Sequence, residues 1–194
     1  MKGRRCIFLY IMEDKKMYMY VLFVKTGYEH KLNEQITNVW RIDGLKSYVP
    51  MYEFRFRKAG QKIIEKKRWF PGYIFFESAM NGLDFYLTVK PYITRSDYAL
   101  KLLRYGDENI NESFEMKDDE SKVLLKLLDD ERCVKMSVGL IEGSKIIINT
   151  GPLIGFEGLI KRINRHKMEA TVELSFFGAI REVTVGLEII SKSP

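Results

Sequence analysis

Two acidic clusters are the strongest candidates for catalytic chemistry in this sequence. Residues 118–120 (DDE) and 129–131 (DDE) each place three carboxylates in a row, and paired carboxylates can hold Mg²⁺ for phosphoryl chemistry. Residues 118–132 carry apolar side chains at helical spacing, so the clusters would lie at opposite ends of one helix, about 15 Å apart. Two metal ions that share a reaction lie only about 4 Å apart. Capping and solvation of the helix ends therefore explain these carboxylates better than a metal site does.

Other catalytic signatures are absent from the sequence. There is no phosphate-binding glycine loop, no GxGxxG after a strand, no GxSxG and no paired-histidine metal motif. His30 and His166 are isolated, and Cys6 and Cys133 have no CxxC spacing, which fits a reducing cytosol better than a disulfide scaffold. The sequence predicts a non-enzymatic, cytoplasmic protein without cofactor or metal.

A run of basic residues surrounds a predicted hairpin. Aromatic and charged residues alternate over 47–57, and residues 59–61 (AGQ) can turn this strand back into a second one over 62–68. Paired strands would place several cations on one face, where they could contact a nucleic-acid backbone without reading its sequence. Protection of a sheet edge would leave the same pattern. Both interpretations stay open for Arg55, Arg57, Lys58, Lys62, Lys66, Lys67 and Arg68.

A second basic cluster lies near a glycine-rich loop. If residues 159–164 form a strand with Ile163 inward, the following turn presents a compact cationic tip. The nearby loop 149–158 holds Phe156 between glycines, where it is less suited to a core. Aromatic and cationic groups at the rim of a small barrel commonly grip RNA by stacking and phosphate contact. The predicted RNA contacts at the tip are Lys161, Arg162, Arg165, His166 and Lys167.

Hydrophobic patterning predicts two domains. The first hundred residues read as strand, helix, strand, hairpin return, helix (82–90) and strand, an order typical of an α+β layer in which helices cover an antiparallel sheet. Beyond Gly139, short strands separated by turns, the last two over 180–185 and 187–190, favour a small all-β barrel. The predicted divisions are a loose extension over 1–16, with Met17 as a candidate start, a domain over 17–117, a helix and linker over 118–139, and a domain over 140–194.

The overall charge points to a polyanionic partner. The 194 residues carry a formal net charge of +6, which favours nucleic acid or an acidic surface. No stretch approaches the roughly 20 apolar residues that a membrane-spanning helix needs. We therefore expect no membrane association.

Two sets of motifs resemble the NusG family of transcription elongation factors. Residues 142–148 (EGSKIII), with the later runs GP, FEG and FFG at 151–152, 156–158 and 176–178, look like a KOW motif in its NusG form. Residues 20–22 (YVL), 26–29 (TGYE) and 67–75 (KRWFPGYIF) resemble the N-terminal domain of that family. The resemblance covers roughly residues 18–192. It implies that the predicted barrel is an SH3-like KOW domain.

The resemblance also implies partners. In this family the N-terminal domain docks on the clamp helices of RNA polymerase and suppresses pausing, and the positions that match that surface are Tyr20, Phe70, Pro71, Gly72 and Tyr73. Phe70 and Tyr73 could instead be ordinary core residues. In housekeeping members the barrel contacts a ribosomal protein or the Rho terminator through loops, and Phe156 and Phe177 match those loop positions.

Several positions depart from the housekeeping pattern. Leu153 replaces the usual aromatic after Gly-Pro, Ala179 stands where arginine is typical, and residues 183–186 (VTVG) replace a Thr-Pro-Val run. The sequence looks more like LoaP, a specialised paralogue associated with processive antitermination, whose KOW domain contacts an RNA hairpin. Fold switching of the second domain as in RfaH stays open, although the β-branched residues over 145–190 favour a constitutive barrel.

The sequence therefore predicts a monomeric elongation and antitermination factor. It would anchor on RNA polymerase through its first domain, contact nascent RNA through Lys161, Arg162, Arg165, His166, Lys167, Phe156 and Phe177, and touch upstream DNA through the hairpin. The alternatives are a KOW-containing ribosome-associated protein, a housekeeping factor that couples polymerase to the ribosome or Rho, and a metal-dependent nuclease.

Overall fold

The computed structural model describes residues 16–58, 60–106 and 113–190, and for residues 57 and 58 it describes the backbone alone. The predicted N-terminal extension lies outside the described residues except for Lys16. Part of the predicted polar boundary, residues 107–112, lies outside them as well.

A four-stranded antiparallel sheet covered by helices forms the first domain, as predicted. The strand order is β2-β5-β1-β6, with Tyr20 opposite Phe76 and Leu22 opposite Ile74 in the two central strands. Apolar residues of one sheet face pack against the two helices, because burial of these side chains removes apolar surface from water. The elements are β1 (Tyr18–Val24), α1 (Glu29–Gln35) with a π turn (Ile36–Trp40), β2 (Lys46–Tyr48), β5 (Tyr73–Ser78), α2 (Gly82–Arg95) and β6 (Ala99–Leu102).

The predicted strand over 47–57 is in fact two strands. Pro50 cannot donate a ladder hydrogen bond, and the chain leaves the first sheet there to form β3 (Met51–Lys58). β3 and β4 (Gln61–Arg68) make the predicted hairpin, in full antiparallel register from Met51–Arg68 to Lys58–Gln61. The helix predicted over 82–90 continues through the exposed Pro91 to Arg95.

The helix predicted over 118–132 is shorter than expected. α3 (Asp118–Leu127) ends at Leu127, and Arg132 turns the chain in a left-handed conformation with φ of 58°. β7 (Cys133–Val134) then pairs in parallel with the start of β3. The second acidic cluster thus lies beyond the helix, and the predicted linker is attached to the hairpin.

The second domain is all β, as predicted. Five strands have the order β10-β11-β12-β8-β9, antiparallel except for the parallel pair β12–β8. The predicted boundary at residue 140 falls inside β8, and one continuous strand, β12, replaces the two strands predicted over 180–190. The elements are β8 (Ser137–Glu142), β9 (Lys145–Thr150), a 3₁₀ turn (Glu157–Leu159), β10 (Ile160–Asn164), β11 (Glu169–Phe176) and β12 (Ala179–Ile189).

The two domains share one apolar core. Phe70 and Phe75 of the first domain belong to the same buried cluster as Val172, Leu174 and Phe176 of the second. Among the described residues, no helix combines the length and apolar character that a bilayer crossing requires.

Candidate functional site: the domain interface

A buried carboxylate shapes the turn that carries Phe70. The side chain of Glu29 is fully buried and accepts hydrogen bonds from the backbone N–H of Gly72 at 2.7 Å and of Gly27 at 2.8 Å. A guanidinium nitrogen of Arg68 lies 3.3 Å from the same carboxylate and supplies the opposite charge. Gly72 has a φ of 87°, which an L side chain rarely adopts. The turn over 69–72 is therefore held from α1.

The residues predicted for polymerase docking do not form one exposed surface. Phe70 is only 4% exposed, Tyr73 is half-buried, and Pro71 is exposed. Tyr20 is fully buried, stacked on Phe85 with ring centroids 3.8 Å apart, and its hydroxyl donates to the carbonyl of Met80 at 2.5 Å. Tyr20 belongs to the sheet–helix core, so its assignment to a surface is wrong.

One aromatic residue of the second domain, Phe176, covers the surface formed by Phe70, Tyr73 and Phe75, which we call the Phe70 surface. The ring of Phe176 stacks on Phe70 with centroids 5.0 Å apart and meets the edge of Tyr73 at 5.6 Å. Phe75 completes the contact at 6.0 Å. Such ring pairs contribute about 0.5–1.5 kcal/mol beyond the area that they bury. In this arrangement a partner could not reach Phe70 without displacing Phe176.

Glu120 binds the turn over residues 177–178, which follows Phe176, and so holds this turn against the first domain. Its carboxylate accepts hydrogen bonds from the backbone N–H of Phe177 at 3.0 Å and of Gly178 at 2.9 Å, and from the Tyr105 hydroxyl. The Tyr105 ring stacks on Phe177 at 4.8 Å. Burial, and then the hydrogen bond to Glu120, raises the pKa of Tyr105, so the hydroxyl keeps its proton at neutral pH.

Ion pairs join the hairpin to the second domain. Arg55 and Lys62 both contact Glu188 on β12, and the ammonium of Lys67 lies 3.9 Å from a carboxylate oxygen of Glu169. Burial, and then the charge of Glu169, raises the pKa of Tyr52 to about 12. Part of the basic hairpin is therefore already neutralised by the neighbouring domain.

β12 lies close against β3 at Gly186. A Cβ on Gly186 would collide with the backbone oxygen of Glu53 and with the sulfur of Met136. The Glu53 side chain also accepts a hydrogen bond from the N–H of Met136 at 3.0 Å. Glycine at this position lets the two domains pack backbone to backbone.

The five basic residues of the predicted cationic tip fall into two groups, those that form an ion pair and those that form none with a described residue. Lys161 pairs with Glu173 at 3.1 Å, and Arg162 pairs with Glu182 at 3.3 Å. The three remaining basic side chains are exposed in the β10–β11 turn and make no ion pair with any described residue. They are Arg165, His166 and Lys167.

Phe156 and Phe177 are not free loop aromatics. Both are half-buried and pack against the shared core. Phe156 precedes the 3₁₀ turn, where its N–H donates to the carbonyl of Leu153 at 2.9 Å. Phe177 lies against Tyr105, with which it stacks. The Phe177 ring is therefore covered by Tyr105 on one side.

Each acidic cluster contains carboxylates that bind protein donors. Glu120 is 4% exposed and accepts hydrogen bonds from the second domain, so solvation does not explain it. Asp129 accepts from the N–H of Cys133 at 2.8 Å and pairs with Lys135 at 3.3 Å, whereas Glu131 pairs with Lys66 at 2.7 Å. Over residues 16–58, 60–106 and 113–190, no three acidic, histidine or cysteine side chains are grouped to hold a metal ion.

Comparison with known proteins identifies the family. A family profile described as "Transcription termination factor nusG" matches residues 17–125, more than half of the chain. The chain belongs to the NusG family of transcription termination and antitermination factors. It is 27% identical over 175 residues to the transcription termination/antitermination protein NusG of Bacillus subtilis (strain 168), covering 87% of this chain and 93% of the relative.

Two further comparisons support the NusG fold. The NusG of Vibrio vulnificus (strain CMCP6) is 23% identical over 182 residues, covering 91% of this chain and 94% of the relative. A solved structure described as "Domain interaction in Thermotoga maritima NusG" has a TM-score of 0.51 and 23% identity, covering 89% of this chain and 94% of the other. The match runs through both domains of this NusG-family protein.

The sequence marks two carboxylates of this NusG-family protein, Glu120 in an acidic cluster and Glu29 in a family motif, but it does not predict their structural roles. Glu120 looks like a first-turn helix residue, yet its side chain turns towards the second domain. Glu29 stands at a helix start, and nothing nearby in sequence shows that Gly72 needs an acceptor there. The available signal was Pro71-Gly72 between aromatic residues, since a turn enclosed by a core leaves a buried backbone N–H that must find a partner.

Proposed function

We propose that this chain is a non-enzymatic elongation and processive antitermination factor, which docks on the clamp helices of RNA polymerase and contacts RNA through its second domain. The observation that carries this proposal is the apolar surface around Phe70, which already binds an aromatic side chain of the other domain, that of Phe176. An apolar surface that accepts one ring can accept the apolar ridge of a helical partner. Docking then requires the two domains to separate.

Tyr73 provides the sharpest test of docking. It lies at the edge of the Phe70 surface and is half-buried, so Tyr73→Ala removes contact area without emptying a core. We expect Tyr73→Ala to weaken binding to a purified clamp-helix fragment by about ten-fold or more, as truncation of an interface aromatic commonly does. Leu83→Ala is the control, because Leu83 is 62% exposed on α2. Equal affinities of the two variants would contradict the proposed surface.

The open charges of the tip support the RNA contact. Arg165 and Lys167 make no ion pair with a described residue, whereas Lys161 and Arg162 already face carboxylates. The double variant Arg165→Ala, Lys167→Ala should lower the salt dependence of RNA binding by about two units of slope, one per phosphate contact. Lys161→Ala should have a smaller effect, since Glu173 neutralises that ammonium.

A matched control removes two charges elsewhere. Lys90 and Arg95 are exposed on α2, so Lys90→Ala with Arg95→Ala changes the net charge equally. If this control lowers the slope as much as the tip variant does, the binding is a general charge effect and the tip has no special role.

Two alternatives receive less support. A ribosome-associated role through the KOW domain gives the Phe70 surface no partner outside this chain. Metal-dependent cleavage would need free carboxylates, yet Glu120, Asp129 and Glu131 all bind protein donors. Within the family, the departures at Leu153 and Ala179 together with the open tip charges favour the specialised branch that resembles LoaP.

A further inference from the structure

The face of the hairpin towards the tip carries a ladder of aromatic rings. Phe54 lies between Tyr52 and Phe56, with ring centroids 6.5 Å and 5.6 Å away. The ammonium of Lys67, from the paired strand, lies over the Phe54 ring at 3.7 Å from its centroid. Phe54 and Phe56 are half-buried, and Phe54 also packs against the shared core. Strand alternation thus displays rings and a cation together on one surface.

The cationic tip of the second domain forms the opposite wall. An open cleft of about 560 Å³ lies between the hairpin and the β10–β11 turn. Four cationic side chains line it, but Arg55 is paired with Glu188 and Lys67 faces Glu169, so the positive charge left without a carboxylate is that of Arg165 and Lys167. The lining cations are Arg55, Lys67, Arg165 and Lys167. The two basic features, which lie about a hundred residues apart in the sequence, therefore meet in one cleft.

We propose that this cleft binds a short segment of single-stranded nucleic acid, with a base stacked on Phe54 or Phe56 and the backbone held by Arg165 and Lys167. Aromatic rings beside cations are the means by which proteins bind single strands without reading their sequence. A duplex keeps the faces of its bases covered by its own stacking and cannot offer them to the rings. The proposal rests on the proposed function, because it extends the RNA contact of the tip.

The ammonium of Lys67 lies where a base stacked on Phe54 would lie. Its ammonium covers the Phe54 ring while it also faces Glu169 at 3.9 Å. Lys67 is exposed, so it can swing away from the ring and exchange Glu169 for a phosphate. The base then takes the place of the ammonium, and the lysine becomes a further backbone contact.

Fluorescence anisotropy with the full chain tests the cleft. The probes are labelled U20 RNA, dT20 DNA and a blunt-ended RNA duplex without a loop. The variant is Phe54→Leu, which keeps an apolar side chain and removes the ring, and the control is Tyr86→Leu, which removes a half-buried ring outside the cleft. We expect Phe54→Leu to weaken U20 binding by about ten-fold with an unchanged salt slope, since a lost stack is uncharged. Tyr86→Leu should leave binding unchanged.

The three probes distinguish the possible ligands of the cleft. A loss with U20 alone assigns the cleft to RNA, and a loss with both U20 and dT20 assigns it to either single strand. An equal loss with the duplex would overturn the single-strand assignment. If the variant Arg165→Ala, Lys167→Ala weakens RNA binding but Phe54→Leu does not, the tip contact stands and the cleft proposal fails. If neither variant has an effect, the RNA contact itself fails.

Discussion

A single methyl group at Gly186 should separate the two domains. Gly186→Ala places a Cβ against the backbone oxygen of Glu53 and the sulfur of Met136. The Met136 side chain can move aside, but the Glu53 carbonyl belongs to a strand that is paired with β4. The backbone of Gly186 is not left-handed, so alanine suits β12 itself. The strain therefore falls on the contact between the domains.

The size of the effect follows from the cost of overpacking. Inserting a methyl group into a well-packed contact costs about 1–3 kcal/mol, which corresponds to a change of about 5- to 150-fold in an equilibrium between two states. The open population should rise by that factor. We expect the variant to bind a clamp-helix fragment more tightly for the same reason, because less free energy is spent on uncovering Phe70.

Amide hydrogen exchange can measure this opening at two residues. The N–H groups of Phe177 and Gly178 donate to Glu120 across the interface, so their exchange requires the domains to part. In Gly186→Ala their exchange should accelerate by the same factor of about 5 to 150. Amides of the β11–β12 ladder, such as that of Val172, lie within the second domain and should keep their protection.

Gly158→Ala is the matched control for this measurement. Gly158 lies in the 3₁₀ turn and its backbone is not left-handed. A Cβ added there would have no neighbouring atom within 4 Å. It should leave exchange at Phe177 unchanged. Unchanged exchange at Phe177 and Gly178 in Gly186→Ala would refute the proposed role of the Gly186 contact. An equal acceleration at Val172 would refute it too, because it would report unfolding of the whole domain.

Two further predictions concern the buried carboxylates. Glu29→Gln should lower the free energy of unfolding by about 1–3 kcal/mol in urea denaturation, because the two glycine N–H groups bind different carboxylate oxygens, an amide offers only one, and the charge that faces Arg68 is lost. Glu34→Gln, exposed on the same helix, should have no effect. Tyr105→Phe should shift the domain equilibrium towards the open form by about 1 kcal/mol, seen as faster exchange at Phe177. Because the pKa of Tyr105 is raised, its contribution is present at neutral pH and is lost only as the pH rises through that raised value. The rate of amide exchange at Phe177, once corrected for the intrinsic pH dependence of amide exchange, should therefore stay constant near neutral pH.

The elements that the sequence predicted well are those with a strong local signal. The hairpin followed from alternation over 47–57 and the glycine turn at Gly60. In contrast, the prediction divides β12 into two strands, because Gly186 looks like a break. The early end of α3 could not be predicted from its apolar periodicity, since Leu128 also fits that period. The chain leaves the helix because Cys133 and Val134 pair with β3, a contact that is distant in sequence.

The arrangement of the candidate site could not be predicted for a similar reason. Exposed or buried placement of Phe70 depends on Phe176, more than a hundred residues away, and no period in the sequence links the two. Tyr20 shows another limit, because β1 is buried on both faces and its run of apolar residues does not show which face the helices cover. The family motif suggested a surface role for Tyr20, and the packing against Phe85 overturns it.

The two proposed binding modes make opposite demands on the interface. Docking at Phe70 requires Phe176 to leave, whereas the cleft between Phe54 and Arg165 exists only while the domains stay together. Ligands that favour different states of one equilibrium must weaken each other's binding by the same factor. A single strand in the cleft would therefore hold the factor closed, and docking on a helical partner would release that strand and free the tip for a folded RNA. The Gly186→Ala variant moves both affinities at once in opposite directions, which no pair of independent sites would do.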